Sequence, residues 1–263
     1  MRIATWNLDH ASNGRRPVDL QIEQIDKIAP DIVVLTETCE KVDLSQRGYE
    51  VALPSKKNEY GKFWTAIWSK YPIMKQLSTY DPETAVCVVI DTPTCKIMVY
   101  STIIPYRDYK GPKEDSPAWY EHNKAIKDHG EDWEKLLLNT EGVLPLFVAG
   151  DFNQTRDNSS RTYGTKMGRE LLSTELRRNG LICLTAEDFG ATGKLKPDPS
   201  KGWVRNNIDH ICMTDKAFKV LQVGAWDHFT ESEVFMSDHN GVFVDIAEQG
   251  LQLLGGRSAH TTL

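Results

Sequence analysis

Asp238 and His239 stand directly before an apolar alternation in "MSDHNGVFVDI" (236–246), where Val242, Val244 and Ile246 point one way and Phe243 and Asp245 the other. An acid and an imidazole at the mouth of a strand invite a question about chemistry. The same arrangement recurs. Asn7 and Asp9 follow the run 2–6, Glu37 ends "DIVVLTE", Asp151 and Asn153 end "PLFVAGDFN", and Asp209 opens "IDHICMT". Five strand-like segments thus carry a carboxylate or carboxamide at an end. A carboxylate at the end of a buried strand is costly unless paired or ligated. Any single one has a bland explanation, as a helix cap or an Asx turn. Taken together, five hard-oxygen groups suit Mg²⁺ or Mn²⁺, which take such ligands and retain waters for a substrate phosphate. An ion of this kind polarises a phosphoryl oxygen and stabilises the leaving oxygen. His239 with Asp209 suits proton transfer or charge stabilisation beside it, the acid fixing the tautomer and favouring the imidazolium.

These residues need strands to bring them together. Apolar, β-branched runs at 2–6, 31–37, 64–69, 84–91, 96–104, 145–151, 208–214 and 241–246 have strand length and turn-forming flanks. Several are apolar on both faces, so both sides should be covered. Residues 17–30 read as a helix with Val18, Ile22, Ile25 and Ala29 on one face; 166–180 reads as another, closed by Asn179–Gly180. Residues 116–139 read as one broken helix or two, with Ser116 as N-cap before Pro117. The economical architecture is α/β: a four-layer sandwich of two packed mixed β-sheets flanked by helices. One domain is expected over 1–250, with a polar tail at 251–263.

The chain of 263 residues carries a net charge of −6, with 40% hydrophobic and 26% charged residues. That balance fits a soluble globular protein and argues against broad, nonspecific coating of nucleic acid. A local basic cleft, or a bound cation, is compatible with it. Cys39, Cys87, Cys95, Cys183 and Cys212 are scattered and odd in number, which reads as reduced thiols rather than a disulfide framework or a zinc site. The N-terminus lacks an apolar signal region, and no run approaches a membrane span, so a cytoplasmic location is expected.

In order along the chain, "TWNLDH", "DIVVLTET", "FVAGDFN", "NNIDHICM" and "SDHNGVFVDI" resemble the exonuclease–endonuclease–phosphatase superfamily, the fold of pancreatic deoxyribonuclease and of apurinic/apyrimidinic endonucleases. The matching pieces span residues 5 to 246. The resemblance implies Glu37 as the main metal ligand, with Asp9 and Asp238 close by. It implies that Asn7 orients a carboxylate or touches the scissile phosphate. Asp151 would position or activate the attacking water or hold a second metal, Asn153 would bind phosphate, and His239, polarised by Asp209, would contact it. Asn207 is a substrate-contact candidate, as is Trp203, placed where the family often carries a pocket aromatic; core packing suits Trp203 equally. The family's usual His or Tyr on the central strand falls at Ile103 here, which leaves Tyr106 or Arg107 to reach the phosphate. Trp6 reads as core, His210 as a structural residue on the opposite face from Asp209, and His10 as bordering the cleft or lying on the surface. His122, His129, His228 and His260 carry no signal.

The reading is a Mg²⁺- or Mn²⁺-dependent phosphodiesterase hydrolysing nucleic acid by in-line attack of water. The same chemistry on a small phosphoester (a nucleotide, phosphoinositide or phospholipid head group) is the alternative. A catalytically inactive binding module is the third reading, disfavoured because a retired site has no reason to keep so many charges. The sequence is silent on oligomeric state.

Overall fold

In the computed structural model, the described residues are 1–10, 17–58, 61–140, 142–157 and 161–248. The expected domain boundary at 250, the tail 251–263 and His260 lie outside them. Twelve strands and three α-helices are described. The strands are β1 (Arg2–Asn7), β2 (Ile32–Thr38), β3 (Glu50–Ala52), β4 (Phe63–Ser69), β5 (Ile73–Leu77), β6 (Ala85–Asp91), β7 (Lys96–Ile103), β8 (Leu146–Asp151), β9 (Leu181–Cys183), β10 (Asp209–Thr214), β11 (Phe218–Trp226) and β12 (Gly241–Glu248). The helices are α1 (Val18–Ile28), α2 (Tyr120–Asn139) and α3 (Lys166–Arg178).

Two six-stranded mixed sheets form, in the orders β11-β12-β1-β2-β4-β3 and β5-β6-β7-β8-β10-β9. Each has one parallel pair, β1 with β2 and β7 with β8; the other pairings are antiparallel. Three apolar clusters match the three interfaces of the expected sandwich. Ile3, Val34, Val242 and Val244 of the first sheet meet Val88, Val99, Phe147 and Ile211 of the second. The outer face of the first sheet (Ala4, Trp6, Leu35) packs on α1 through Ile25, Val18 and Ile22. The outer face of the second (Tyr100, Val148, Cys212) packs on α2 and α3 through Ile126, Trp133, Leu172 and Leu176. Strands covered on both faces need apolar residues at consecutive positions, which is why the runs do not simply alternate.

All eight expected strands are present. Ala29 is not on the buried face of α1: it is exposed and takes a left-handed conformation that closes the helix. Helix α2 is unbroken and starts later than Ser116. Its N-cap is Trp119, also left-handed, whose ring packs edge-on against His122 and Tyr163. The Ser116 hydroxyl instead donates to the Glu121 carboxylate at 2.6 Å. The strands missed by periodicity are β3, β5, β9 and β11.

Gly150 explains one letter of the "GDFN" stretch. Its φ is +139°, and a Cβ there would run into the backbone carbonyl of Thr102 on β7. Only glycine lets β8 lie this close to its parallel neighbour and deliver Asp151 at the strand end.

Candidate active site

The two sheets end side by side, and Asn7 joins them. As the last residue of β1, it donates through Nδ2 to Glu37 Oε1 on neighbouring β2 (3.1 Å) and to Asp151 Oδ2 at the end of β8 (3.0 Å). One amide therefore spans a carboxylate from each sheet. Asp151 also accepts from the Asn153 backbone N–H at 2.8 Å and from Asn153 Nδ2 at 3.0 Å. That same amide donates to Ile104 O at 2.9 Å. The antiparallel register of β8 and β10 sets Asp209 directly opposite Asp151. Like charges facing across a ladder are unfavourable, and His239 offsets them: its Nδ1 lies 2.6 Å from Asp209 Oδ2. Asp151, Asp209 and His239 present ligand atoms within 4.8 Å of one another.

The electrostatics follow from burial. Asp151 is buried, and desolvation, with Asp209 and Glu37 nearby, pushes its pKa up to about 8 against the pull of His239. Burial likewise raises Asp209, with His239 opposing. For His239, burial disfavours the imidazolium, but Asp209, Asp151 and Asp238 outweigh it and lift the pKa well above its ordinary value. Glu37 behaves differently: burial would raise it, yet His10 and Asn7 hold it below the usual range. The His10 Nε2 lies 2.9 Å from Glu37 Oε2. His10 thus borders the cleft, against the carboxylate, and is not a surface residue remote from it.

A raised acid pKa has a consequence for stability. In the absence of metal, folded Asp151 binds its proton more tightly than the unfolded chain does, so its contribution to stability falls as pH rises from 3.8 towards about 8. In EDTA, the urea midpoint of the wild type is expected to drop between pH 5 and pH 8 by more than that of Asp151→Asn. Equal drops in the two proteins would contradict this assignment.

The backbone here is bent as well. Asp9, His10, Glu37 and Asn153 all have φ near +48°, a left-handed conformation uncommon for residues other than glycine. Such conformations persist where surrounding bonds over-determine them, and they cluster at functional sites. Asp9 has its own N–H bonded to Asn7 Oδ1 at 2.9 Å.

The turn 236–240 is fastened to β1 from several sides. Trp6 Nε1 donates to His239 O (2.7 Å), Ser237 Oγ donates to Asn7 O (2.6 Å), and the His239 N–H donates to Ser237 Oγ (3.0 Å). Buried Gln21 on α1 donates to both Leu8 O and Met236 O. Trp6 is thus core, as expected, with its one polar atom spent on the site.

Among the described residues, the acids and imidazoles whose ligand atoms all lie within 4.8 Å of one another are Asp151, Asp209 and His239. Glu37 adjoins that group through the Asn7 amide. Asp238 faces outward, with its Oδ1 3.8 Å from His239 Nε2 and its side chain 43% exposed. Arg107 is exposed and pairs with its neighbour Asp108 at 3.5 Å, while Tyr106 lies exposed beside Tyr109. Ile103 is buried and pairs in register with Asp151. Asn207 is buried with its Oδ1 unpartnered, as is Asp209 Oδ1. Asn207, Arg205, Asn206, Arg161 and Trp203 line a cleft of about 330 Å³. The Trp203 ring carries the Arg161 guanidinium at 4.5 Å and the Lys201 ammonium at 5.3 Å. His210 does turn away from Asp209, bonding Thr185 Oγ1 and Gln154 O.

A second network, which sequence reasoning missed, supports the turn from behind. Fully buried Asp198 accepts from Arg205 Nε (2.8 Å), Ser200 N (2.8 Å) and Ser200 Oγ (2.6 Å), and meets His228 Nε2 at 3.1 Å. Arg205 Nη1 donates to Asp238 O at 2.7 Å, and His228 Nδ1 meets Asn240 Oδ1 at 2.8 Å. Both residues flanking His239 are thereby tied to one buried carboxylate. Burial would raise Asp198, but Arg205, Ser200 and His228 hold it far below the ordinary range. Its stabilisation is therefore full above the unfolded carboxylate pKa and is lost as pH falls into the acid range. Asp198→Asn is expected to cost about 2 kcal/mol in urea unfolding at pH 7, the scale of a hydrogen bond to a charged group. A change below about 0.5 kcal/mol would remove Asp198 from this role.

The profile of the Endonuclease/Exonuclease/phosphatase family matches residues 4–239. The chain belongs to that family. Members are phosphoester hydrolases, and the residue stretches that suggested the family are those that the fold gathers here. No curated protein matches the chain in sequence. Among solved structures, the human Nocturnin catalytic domain with bound sulfate anion aligns at 21% identity and TM-score 0.64, covering 94% of each chain. An AP endonuclease from Archaeoglobus fulgidus aligns at 16% identity and TM-score 0.67, covering 94% of this chain and 99% of that one. The 3'-5' exonuclease NExo from Neisseria meningitidis aligns at 16% and 0.64, with the same coverage. At these identities the likeness is one of fold, and it confirms the α/β sandwich within the family.

Proposed function

We propose that this member of the family is a divalent-metal-dependent phosphodiesterase that hydrolyses nucleic acid. The observation that carries the reading is the meeting of Asn7, Glu37, Asp151, Asp209 and His239 at adjoining ends of the two sheets. The donor set fits Mg²⁺ or Mn²⁺. Glu37, Asp151, Asp209 and Asp238 face two imidazoles, His10 and His239, and Asp209 Oδ1 has no partner. Such a surplus of hard, negative oxygens calls for a compact cation. Glu37 would be its principal ligand, with Asp9 and Asp238 completing the set directly or through water. When bound, the ion supplies charge to polarise the phosphoryl group and the leaving oxygen.

The side chains do the rest. Asn7 fixes the relative orientation of Glu37 and Asp151. Asp151, whose burial raises its pKa above the ordinary carboxylate range and so strengthens it as a base, is the group that positions a water and takes its proton. His239, kept charged by Asp209, contacts a non-bridging oxygen of the phosphate and stabilises the charge that develops there. Asn153 holds Asp151 and contacts the phosphate, and Asn207 contacts the substrate from the neighbouring cleft. Water attacks in line, opposite the leaving oxygen. Tyr106 and Arg107 lie on the exposed loop where a polymer's flanking phosphates would pass.

One observation favours a second reading, hydrolysis of a small phosphoester. The cleft beside Asn207 is of single-ligand size, and its Trp203 has two cationic side chains against its ring, a setting for a phosphorylated aromatic ligand such as a nucleotide. The two are separated by incubating the protein and Mg²⁺ or Mn²⁺ with plasmid, an abasic duplex and a panel of small phosphoesters. Cleavage of the nucleic acids, abolished by EDTA, is expected. Turnover confined to small esters would replace the first reading with the second. Intact metal binding with no turnover of any of them would leave an inactive binding module. No helix among the described residues is long and apolar enough to cross a membrane; we place the activity in the cytoplasm.

A further inference from the structure

β9 is the outer strand of its sheet, and it sets Cys183 directly opposite Cys212 of β10. The type of this pair can be read from its neighbours. Leu184 N–H donates to Ile211 O at 2.9 Å, and Asp215 N–H donates to Gly180 O at 2.8 Å. In an antiparallel ladder, hydrogen-bonded and non-hydrogen-bonded pairs alternate. Pairs 184/211 and 180/215 are therefore of the first kind, and 183/212 is of the second. Non-hydrogen-bonded pairs bring Cα atoms to about 4.5 Å, with their side chains closest. A disulfide needs Cα atoms about 4.4–6.8 Å apart. Both side chains lie on the face covered by α2 and α3, Cys212 fully buried and Cys183 half-buried at the sheet edge. No other cysteine faces a cysteine in the ladders: Cys87 stands opposite Leu77 and Tyr100, and Cys39 and Cys95 lie outside the strands.

We propose that Cys183 and Cys212 are a redox site, forming a reversible cross-strand disulfide with a low-molecular-weight disulfide such as oxidised glutathione as the oxidant. Cys183, the less buried of the two, starts the exchange. The Cys183 thiolate attacks one sulfur of the reagent, breaking its S–S bond, forming a mixed disulfide and releasing one thiolate that takes up the proton Cys183 gave up. Cys212 then loses its proton and attacks the Cys183 sulfur, expelling the second glutathione thiolate, which takes up that proton. The cysteine pair loses two electrons and the reagent gains them. The surroundings suit this order. A hydrogen bond from Cys212, with His210 and Arg156 nearby, lowers the Cys183 pKa against the effect of burial, whereas burial raises Cys212. The thiols expected from their scattered placement to be merely reduced thus include one pair built to close.

The test is oxidation of the folded wild-type protein with oxidised glutathione at neutral pH, then alkylation and peptide mass mapping. Loss of two of the five thiols is expected, with no retained glutathione, a peptide linking 183 to 212, and full reversal by dithiothreitol. Cys212→Ser should stop at a stable glutathione adduct on Cys183, and Cys183→Ser should leave Cys212 unmodified. Five alkylated thiols after prolonged exposure, a bridge joining any other pair, or arrest of the wild type at the adduct would each overturn the assignment.

Discussion

His239→Ala is expected to lower kcat/KM on the cleaved substrate by at least about 10²-fold, the effect of removing a positioned proton donor or charge stabiliser. The side chain is held by Asp209 at 2.6 Å and its backbone by Trp6 and Ser237. Truncation at Cβ leaves those backbone bonds in place, so the fold and the bound ion should survive. The loss should fall on kcat more than on KM, because the charge it stabilises grows in the transition state. Removing the imidazolium also leaves buried Asp209 without its charged partner, so at neutral pH the metal-free variant should be less stable than the wild type. Steady-state kinetics in saturating Mg²⁺, alongside thermal unfolding in EDTA, measure both. An unchanged rate would remove His239 from the mechanism.

Glu37→Gln is expected to cost at least about 10²-fold in turnover at fixed metal concentration, comparable to losing a principal electrostatic group. Part of that loss should be recovered as Mg²⁺ or Mn²⁺ is raised. The amide keeps the size and one acceptor oxygen but loses the charge, and its NH₂ group faces Asn7 Nδ2 or His10 Nε2, both donors when Glu37 is a carboxylate. A rate profile against metal concentration that is parallel to the wild type would show that Glu37 does not hold the ion.

The eight strands legible in the sequence are long and apolar and form the middle of both sheets. The four that were not have physical reasons to hide. β3 and β9 are three residues each and lie at sheet edges. β5 is largely exposed. β11 is an edge strand whose alternation slips at a bulge between Val220 and Gln222. The site was legible for the same reason as the central strands: Asn7, Glu37, Asp151, Asp209 and His239 sit at or beside their ends, where a costly polar residue is conspicuous. The supports were not. Gln21 looks like any polar helix residue until Leu8 and Met236 supply its acceptors. Asp198, Arg205 and His228 lie in loops with no period, and their partnership exists only once the chain has folded. The cysteine pair is hidden likewise, since register, not spacing, puts Cys183 opposite Cys212.

Glu37 as principal metal ligand can be checked by anomalous diffraction from crystals grown with Mn²⁺. A manganese peak is expected within about 2.0–2.3 Å of a Glu37 carboxylate oxygen, the contact distance of a hard divalent cation with oxygen, with Asp9 or Asp238 nearby and His239 on the same side of the cleft. A fully loaded crystal with no ion at Glu37, or with the ion bound away from these strand ends, would contradict it.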